Sequence, residues 1–368
     1  MSNRSTPYFK AALRALHATG VDRLLAPYCN GMGAIFTGHQ VTAASDEAFQ
    51  PNRILQVTPD FLDTVIVRLK SLGFDLISLD DVVVRLSQAA KGRSLDGRRA
   101  SVKPQRPFVC FTFDDGYRDN ITDALPVFER HNVPLAIYIP TDYPDGRGEL
   151  WWLTLEQSIR TADFVELAMD GVSREFKTGT VDGKQAAYHE IYWWLRGLPE
   201  RRARTVVREL AESVGIDPSA ACRELIASWD ELRAVADHPL LTIGAHTTTH
   251  RALAHLPYTD AKAEMQDSIA RIEDELATPC HHFSFPYGCE KSAGPREFEL
   301  AARLGVTTAV TTRKALIERR SNCALTGLPR VSLNGEYQDL RYIETLLSGA
   351  PFRIFNATRK VREPLGFA

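Results

Sequence analysis

Short apolar runs alternate with stretches of helical periodicity along most of this chain of 368 residues. Ala34 to Thr37, Leu76-Ile77, Phe108 to Phe113, Leu135 to Ile139 and residues 240–244, 283–285 and 306–311 read as strands. A helix opens at Thr58-Pro59, a capping residue followed by proline at the first helical position, and stops at Gly73; Phe61, Val65, Leu69 and Leu72 mark its buried face. Another opens at Asp80 or Asp81, and a third, over 119–131, is disturbed or restarted at Pro126. The helix at 259–277 carries the stripe Met265, Ile269, Ile272 and Leu276, and the one at 295–304 opens at Pro295 and is capped by Gly305. Residues 91–106, rich in Gly, Arg, Ser and Pro, read as a loop. Strands and helices in alternation with short connections imply an α/β fold built on a parallel sheet, open or closed into a barrel.

Residues 141–235 break that rhythm and read as several helices with a short hairpin near 172–182. All five tryptophans (151, 152, 193, 194 and 229) fall in this stretch. They suit a small separate core, or a wall on which sugars stack. Arg196, Arg201, Arg202, Arg204 and Arg208 read as a solvated helix face, with an anionic substrate as the alternative. Phe9, Leu13, Leu16, Leu24 and Leu25 sit at roughly helical spacing and predict an amphipathic helix packed on the body. Arg4, Lys10, Arg14 and Arg23 interrupt the first 30 residues, so no secretory leader is expected and the expected location is cytoplasmic. Lys+Arg (44) nearly balance Asp+Glu (46), which argues against nucleic acid or an anionic membrane as the main partner, and no apolar run is long enough for a spanning segment. The six scattered cysteines form no CxxC pair, so reduced thiols are expected, with Cys110 in the core.

Three strand ends carry the chemistry. Phe111-Thr112-Phe113-Asp114-Asp115-Gly116 is an apolar strand ending in two carboxylates and a glycine. Successive strand side chains point to opposite faces, so both carboxylates reach one site only if the strand ends between them. A nearby cation would relieve their repulsion and let them take different roles; an exposed turn is the other reading. His246 and His250 follow the strand at 240–244, and two histidines four apart can meet one metal, zinc suiting imidazoles plus a carboxylate. Phe283-Ser284-Phe285-Pro286-Tyr287-Gly288 is a strand running into a turn that could offer backbone N–H groups to an oxyanion, though alone it is an ordinary tight turn.

In this order, each ending a strand, the three stretches resemble the polysaccharide deacetylase family (the NodB homology domain, carbohydrate esterase family 4), whose signatures match residues 112–116, 246–250 and 283–288. Gly38-His39-Gln40-Val41 and the Thr58-Pro59 helix also look like the N-terminal part of such proteins. The resemblance implies a distorted (β/α) barrel of seven or eight strands. It would occupy 34–140 and 236–335, with a helical extension at 1–33, a helical insertion at 141–235 and a tail at 336–368. It implies one divalent metal, zinc with cobalt or nickel as alternatives, on Asp115, His246 and His250. Asp114 would be the general base and the Tyr287 N–H the oxyanion donor, and the metal would lower the pKa of its water towards ~7.

Two features depart from the family. The arginine expected five residues before Pro286 is His281, so Arg330, in Leu328-Pro329-Arg330-Val331, is the candidate to orient the base. No histidine follows His282, which leaves His39, His281 or a water to protonate the leaving amine. His39, His281 and Pro286 complete the candidate substrate contacts. The expected activity is removal of an N-acyl group, acetyl first, from an amino sugar of an oligosaccharide, polysaccharide or lipid-linked saccharide. A deformylase or other hydrolase of a small non-peptide amide, and a carbohydrate-binding protein without activity, are the competing readings.

Overall fold

The computed structural model describes residues 6–91, 105–318 and 324–355. Most of the loop read at 91–106, Cys323, Arg4 and the last part of the 336–368 tail lie outside the described residues. Seven parallel strands close into a ring: β1 (Gly33–Gly38), β2 (Phe108–Phe113), β3 (Leu135–Ile139), β4 (Leu241–Ala245), β5 (His282–Ser284), β6 (Thr308–Lys314) and β7 (Leu328–Ser332). Each pairs with its neighbour in sequence, and β1 closes the ring on both β7 and β2, Gly33 to Gly38 lying opposite Phe108 to Phe113. The short strand Asp75–Leu76 borders the start of β2 and stays outside the ring. Closure leaves no free edge in the ring and buries every residue of β1 and β2, which is why these strands read as continuous apolar runs.

Alternation along β2 sorts its side chains. Val109, Phe111 and Phe113 point outward into the layer between sheet and helices, where Phe111 meets Phe36 and Phe128 edge to face. Cys110 joins Ile35, Tyr138, Val310 and Leu328 in a second cluster inside the ring. The same period carries Thr112 and Asp114 inward at the carboxyl end of the strand. Around the ring, the helix Pro59–Ser71 buries Leu62, Val65, Ile66 and Leu69, and Thr58 caps it by accepting the Phe61 N–H. Phe61 and Leu72, expected on that face, lie at its margin. The disturbance expected at Pro126 is a π-helical turn, Asn120–Ala124, that continues into the helix Leu125–His131.

The stretch from 141 to 235 contains the helices Trp151–Thr161, Val181–Gly197, Glu200–Ser213, Ala220–Leu225 and Trp229–Val235. Its hairpin pairs Phe164–Met169 with Val172–Lys177, earlier than expected, because Thr180 already caps the next helix. Trp151 and Trp152 sit with Tyr188, Ile191 and Leu210 in a core distinct from that of the barrel; Trp193 remains exposed. At the other end of the chain, the single amphipathic helix expected near the N-terminus is two, Thr6–Ala18 and Val21–Cys29. Leu13 is buried, whereas Leu24 is 73% exposed, because the break at Gly20 ends the common stripe. The first helix packs on Leu340–Leu347, so the segment read as a tail contains a packed helix. Cys110 is buried, and the described cysteines are free thiols. No described helix is long and apolar enough to cross a membrane.

Candidate active site at the carboxyl ends of the strands

Asp114 follows β2 on its inward face, and Arg330 enters the same space from β7. The guanidinium forks onto the carboxylate, NH1 donating to Oδ1 at 2.8 Å and NH2 to Oδ2 at 2.6 Å. Its remaining donors go to the Thr311 carbonyl, Thr112 Oγ1 and Ser284 Oγ, all inside the ring. Arg330 is thus fully buried with every direction of its fork used, which fixes the plane of the carboxylate it holds. Burial works against the charge on Asp114, yet Arg330, then His246, hold its pKa down to about 2.

Asp115 leaves the strand. Its φ is +75° and that of Gly116 is +70°, so the chain turns out of the sheet and the second carboxylate swings to the side of the first. After β4 the loop from His246 to His250 curls over the same end. Thr248 and Thr249 donate their N–H groups to Glu264 Oε2, and Thr247 Oγ1 accepts the His250 N–H. Asp115 Oδ1 lies 3.5 Å from His246 Nε2 and 3.2 Å from His250 Nε2. The His246 Nδ1 proton is donated to the Ser284 carbonyl at 2.6 Å, which turns the Nε2 lone pair towards Asp115. Burial pushes the His250 pKa down, which favours the neutral ring.

One atom of each of the three side chains falls within 4.8 Å of the others, and all three residues are buried. Asp115 Oδ1 has no hydrogen-bond partner although it is shielded from water. A buried carboxylate oxygen without a donor, set beside two imidazole nitrogens, suits a divalent metal, and these residues could hold one. The backbone supports the same view. Of the seven non-glycine residues with positive φ among the described residues, Asp115, Thr247, His250 and Tyr287 are four, so strain concentrates at this end of the barrel.

The third strand end closes the site. Pro286 and Gly288 form a tight turn in which the Gly288 N–H donates to the Pro286 carbonyl at 2.7 Å. The Tyr287 carbonyl is held by Thr312 Oγ1, and its ring lies 5.0 Å from that of His250. His39, the residue after β1, is half-buried at the same carboxyl end of the ring.

A sequence model of the family described as Polysaccharide deacetylase matches residues 101–309, which include all three strand ends. The chain belongs to the polysaccharide deacetylase family. Membership makes the protein's relatives hydrolases of carbon–nitrogen bonds and gives this chain the same class. Among solved structures, the Streptococcus pyogenes deacetylase PplD, determined in complex with acetate, is 17% identical over 85% of this chain and 97% of its own, with a TM-score of 0.53. A de-N-acetylase from Aggregatibacter actinomycetemcomitans is 14% identical over 85% of this chain and 98% of its own, with a TM-score of 0.51. Both share the deacetylase fold. No curated protein matches the sequence.

The structure therefore brings together Asp114, Asp115, His246, His250, Tyr287, Pro286, Arg330 and His39. It does not bring His281. That residue precedes β5, so it stands exposed at the amino end of the parallel ring, opposite the site, and the expectation that it touches substrate is corrected. Sequence reading also missed neighbours contributed by residues 141–235. Tyr143 and Trp152 place their rings 5.9 Å and 5.4 Å from that of His250. Trp151 Nε1 donates to the Tyr287 hydroxyl. Arg204 donates to the Thr249 and His250 carbonyls while paired with Glu200. Nothing in local periodicity distinguishes these from core aromatics or surface charges; only the packing of the two cores against each other does.

Proposed function

We propose that the protein removes an N-acyl group, acetyl first, from an amino sugar of an oligosaccharide, polysaccharide or lipid-linked saccharide, with a divalent metal, zinc above cobalt or nickel, on Asp115, His246 and His250. The observation that carries this reading is the unpartnered, buried Asp115 Oδ1 between two imidazoles, one residue from a carboxylate locked on an arginine fork. Bound there, such an ion supplies a water of lowered pKa and a Lewis acid for the amide carbonyl.

The chain's own residues do the rest. Asp114 is ionised across neutral pH and so can accept a proton from water. Arg330 keeps its carboxylate in one plane and is a positioning residue. The Pro286 carbonyl is bonded back into its turn, and a trans peptide sets the Tyr287 N–H on the opposite side, directed out of the turn as an oxyanion donor requires. With His281 at the far end of the ring, His39 at the carboxyl end of β1 is our candidate to hand a proton to the leaving amine.

The test is acetate release from a panel of N-acetylated oligosaccharides by protein loaded with zinc, cobalt or nickel. Release that chelator abolishes and added metal restores is expected; no release with any of the three ions overturns the reading. The near-complete burial of Asp114, Asp115, His246 and His250 favours, as a second reading, a small amide substrate. N-formyl sugars and ureides in the same panel separate the two, and sugar binding without any turnover marks a protein without activity.

A further inference from the structure

The arginine-rich run at 196–208 divides in the structure. Arg201 and Arg202 face solvent, and Arg208 pairs with Glu149. Arg204 is committed to Glu200 and to two loop carbonyls. Arg196 differs from all of these. Its guanidinium lies 4.2 Å from the centre of the Tyr287 ring, and it has no hydrogen-bonded or ion-paired partner among the described residues.

Arg196 lines a cavity of about 40 Å³ together with Trp151, Glu200, Arg204, His255 and Tyr287. Its half-buried guanidinium and the exposed His255 set the mouth at the surface, and Tyr287 forms the wall shared with the site, its ring 5.0 Å from that of His250. Glu200 neither balances Arg196 nor is free to do so. One oxygen takes Arg204, and the other takes the Ala252 N–H. The cavity therefore holds one uncompensated positive charge, on a planar fork packed against the Tyr287 ring.

We infer that this cavity is a subsite for a carboxylate carried by the substrate, on the amino sugar itself or on the sugar next to it, recognised by Arg196. A carboxylate matches the fork in plane and spacing, and one negative charge balances the one that is unpaired. A dianionic phosphate would exceed the charge. The inference deepens the deacetylase reading and rests on it for the identity of the ligand as a sugar.

The test uses the full chain, kept metal-free with chelator so that nothing turns over, and calorimetric titration with three ligands. These are an N-acetylated amino sugar bearing an ether-linked carboxylate, its neutral methyl ester, and the corresponding sugar phosphate. The acid is expected to bind at least tenfold tighter than the ester. That ratio falls to near one in Arg196→Met, and Arg196→Lys, which keeps charge without the fork, lies between; thermal unfolding midpoints confirm that both variants are folded. Equal affinities for acid and ester, no measurable binding of the acid, a ratio that survives Arg196→Met, or tighter binding of the phosphate each overturn the assignment. Acetate release from neutral substrates, with acid and ester bound alike, removes the subsite and leaves the hydrolase. Carboxylate-dependent binding with no acetate released from any substrate does the reverse.

Discussion

Asp114 and Asp115 are adjacent in sequence and are held by different groups. The first is locked on a guanidinium inside the ring, and the second faces two neutral-capable imidazoles with one oxygen unpartnered. Arg330→Lys keeps the charge in the ring but cannot span both carboxylate oxygens, so the variant is expected to fold and to lose at least tenfold in kcat with little change in KM, measured by acetate release. Arg330→Met leaves a buried carboxylate without its countercharge and is expected to cost about 3–5 kcal/mol of stability in urea unfolding. A third acid nearby behaves oppositely. Burial, with Asp123 close by, raises the Asp119 carboxyl to about 7. The folded protein keeps this proton while the unfolded chain gives it up near the ordinary carboxylate value. Stability is therefore lost as pH climbs from about 4 to about 7, and the loss is complete above that window. Asp119→Asn is expected to be about 4 kcal/mol more stable than wild type at pH 8, and equal to it at pH 4, by denaturant titration at the two values. These distinctions explain what residue reading reached. Consecutive carboxylates and an HxxxH spacing are visible as letters. The arginine that serves Asp114 is 216 positions away, and only the closure of β1 on both β2 and β7 makes the two meet, whereas His281, standing where the family has an arginine, lies at the amino end of its strand.

The site is assembled from three strand ends, and each turns abruptly. Tyr287 has φ of +59° and is followed by Gly288 at +56°. A Cβ on Gly288 would stand 2.4 Å from the Thr312 backbone nitrogen, a group that cannot step aside without moving β6. Gly288→Ala is therefore expected to cost at least about 2 kcal/mol and to reduce kcat more than it weakens sugar binding, because the displaced turn carries the Tyr287 N–H. Thermal unfolding and steady-state kinetics on one preparation check both. Elements of this kind were legible where chemistry is local. The proline and glycine that bound the helices, and the inward-outward alternation of β2, are written in short windows. The hairpin was harder. Asp170-Gly171, both at positive φ, join two runs of alternating character, a turn signal present in the letters. Its strands are half exposed and carry charged side chains, so their periodicity competes with a helical reading. Leu13 and Leu24 fit one stripe only on an unbroken helix, and Gly20 breaks it between them.

Two cores meet over the candidate metal site: the barrel supplies Asp115, His246 and His250, and residues 141–235 cover His250 with Tyr143 and Trp152. On the proposed reading, this arrangement would link stability to occupancy. Without an ion the folded chain must hold a buried carboxylate oxygen with no donor, a penalty absent from the unfolded state. An ion that binds only the folded protein adds about 2.7 kcal/mol at a free concentration 100 times its Kd. Zinc is therefore expected to raise the thermal midpoint by a few degrees, and chelator to return it. Asp115→Asn separates the two effects. It removes the buried charge, so the metal-free variant is expected to match or exceed metal-free wild type in stability while losing the zinc-induced rise altogether. Scanning calorimetry of both proteins, with and without zinc, gives the four midpoints. A wild-type midpoint indifferent to zinc would show that the three side chains hold no ion. A rise that persists in Asp115→Asn would show that zinc stabilises from elsewhere. Only the predicted pattern, a site that costs the fold stability when empty and returns it when filled, fits a barrel end where strain, burial and an unpaired acceptor coincide.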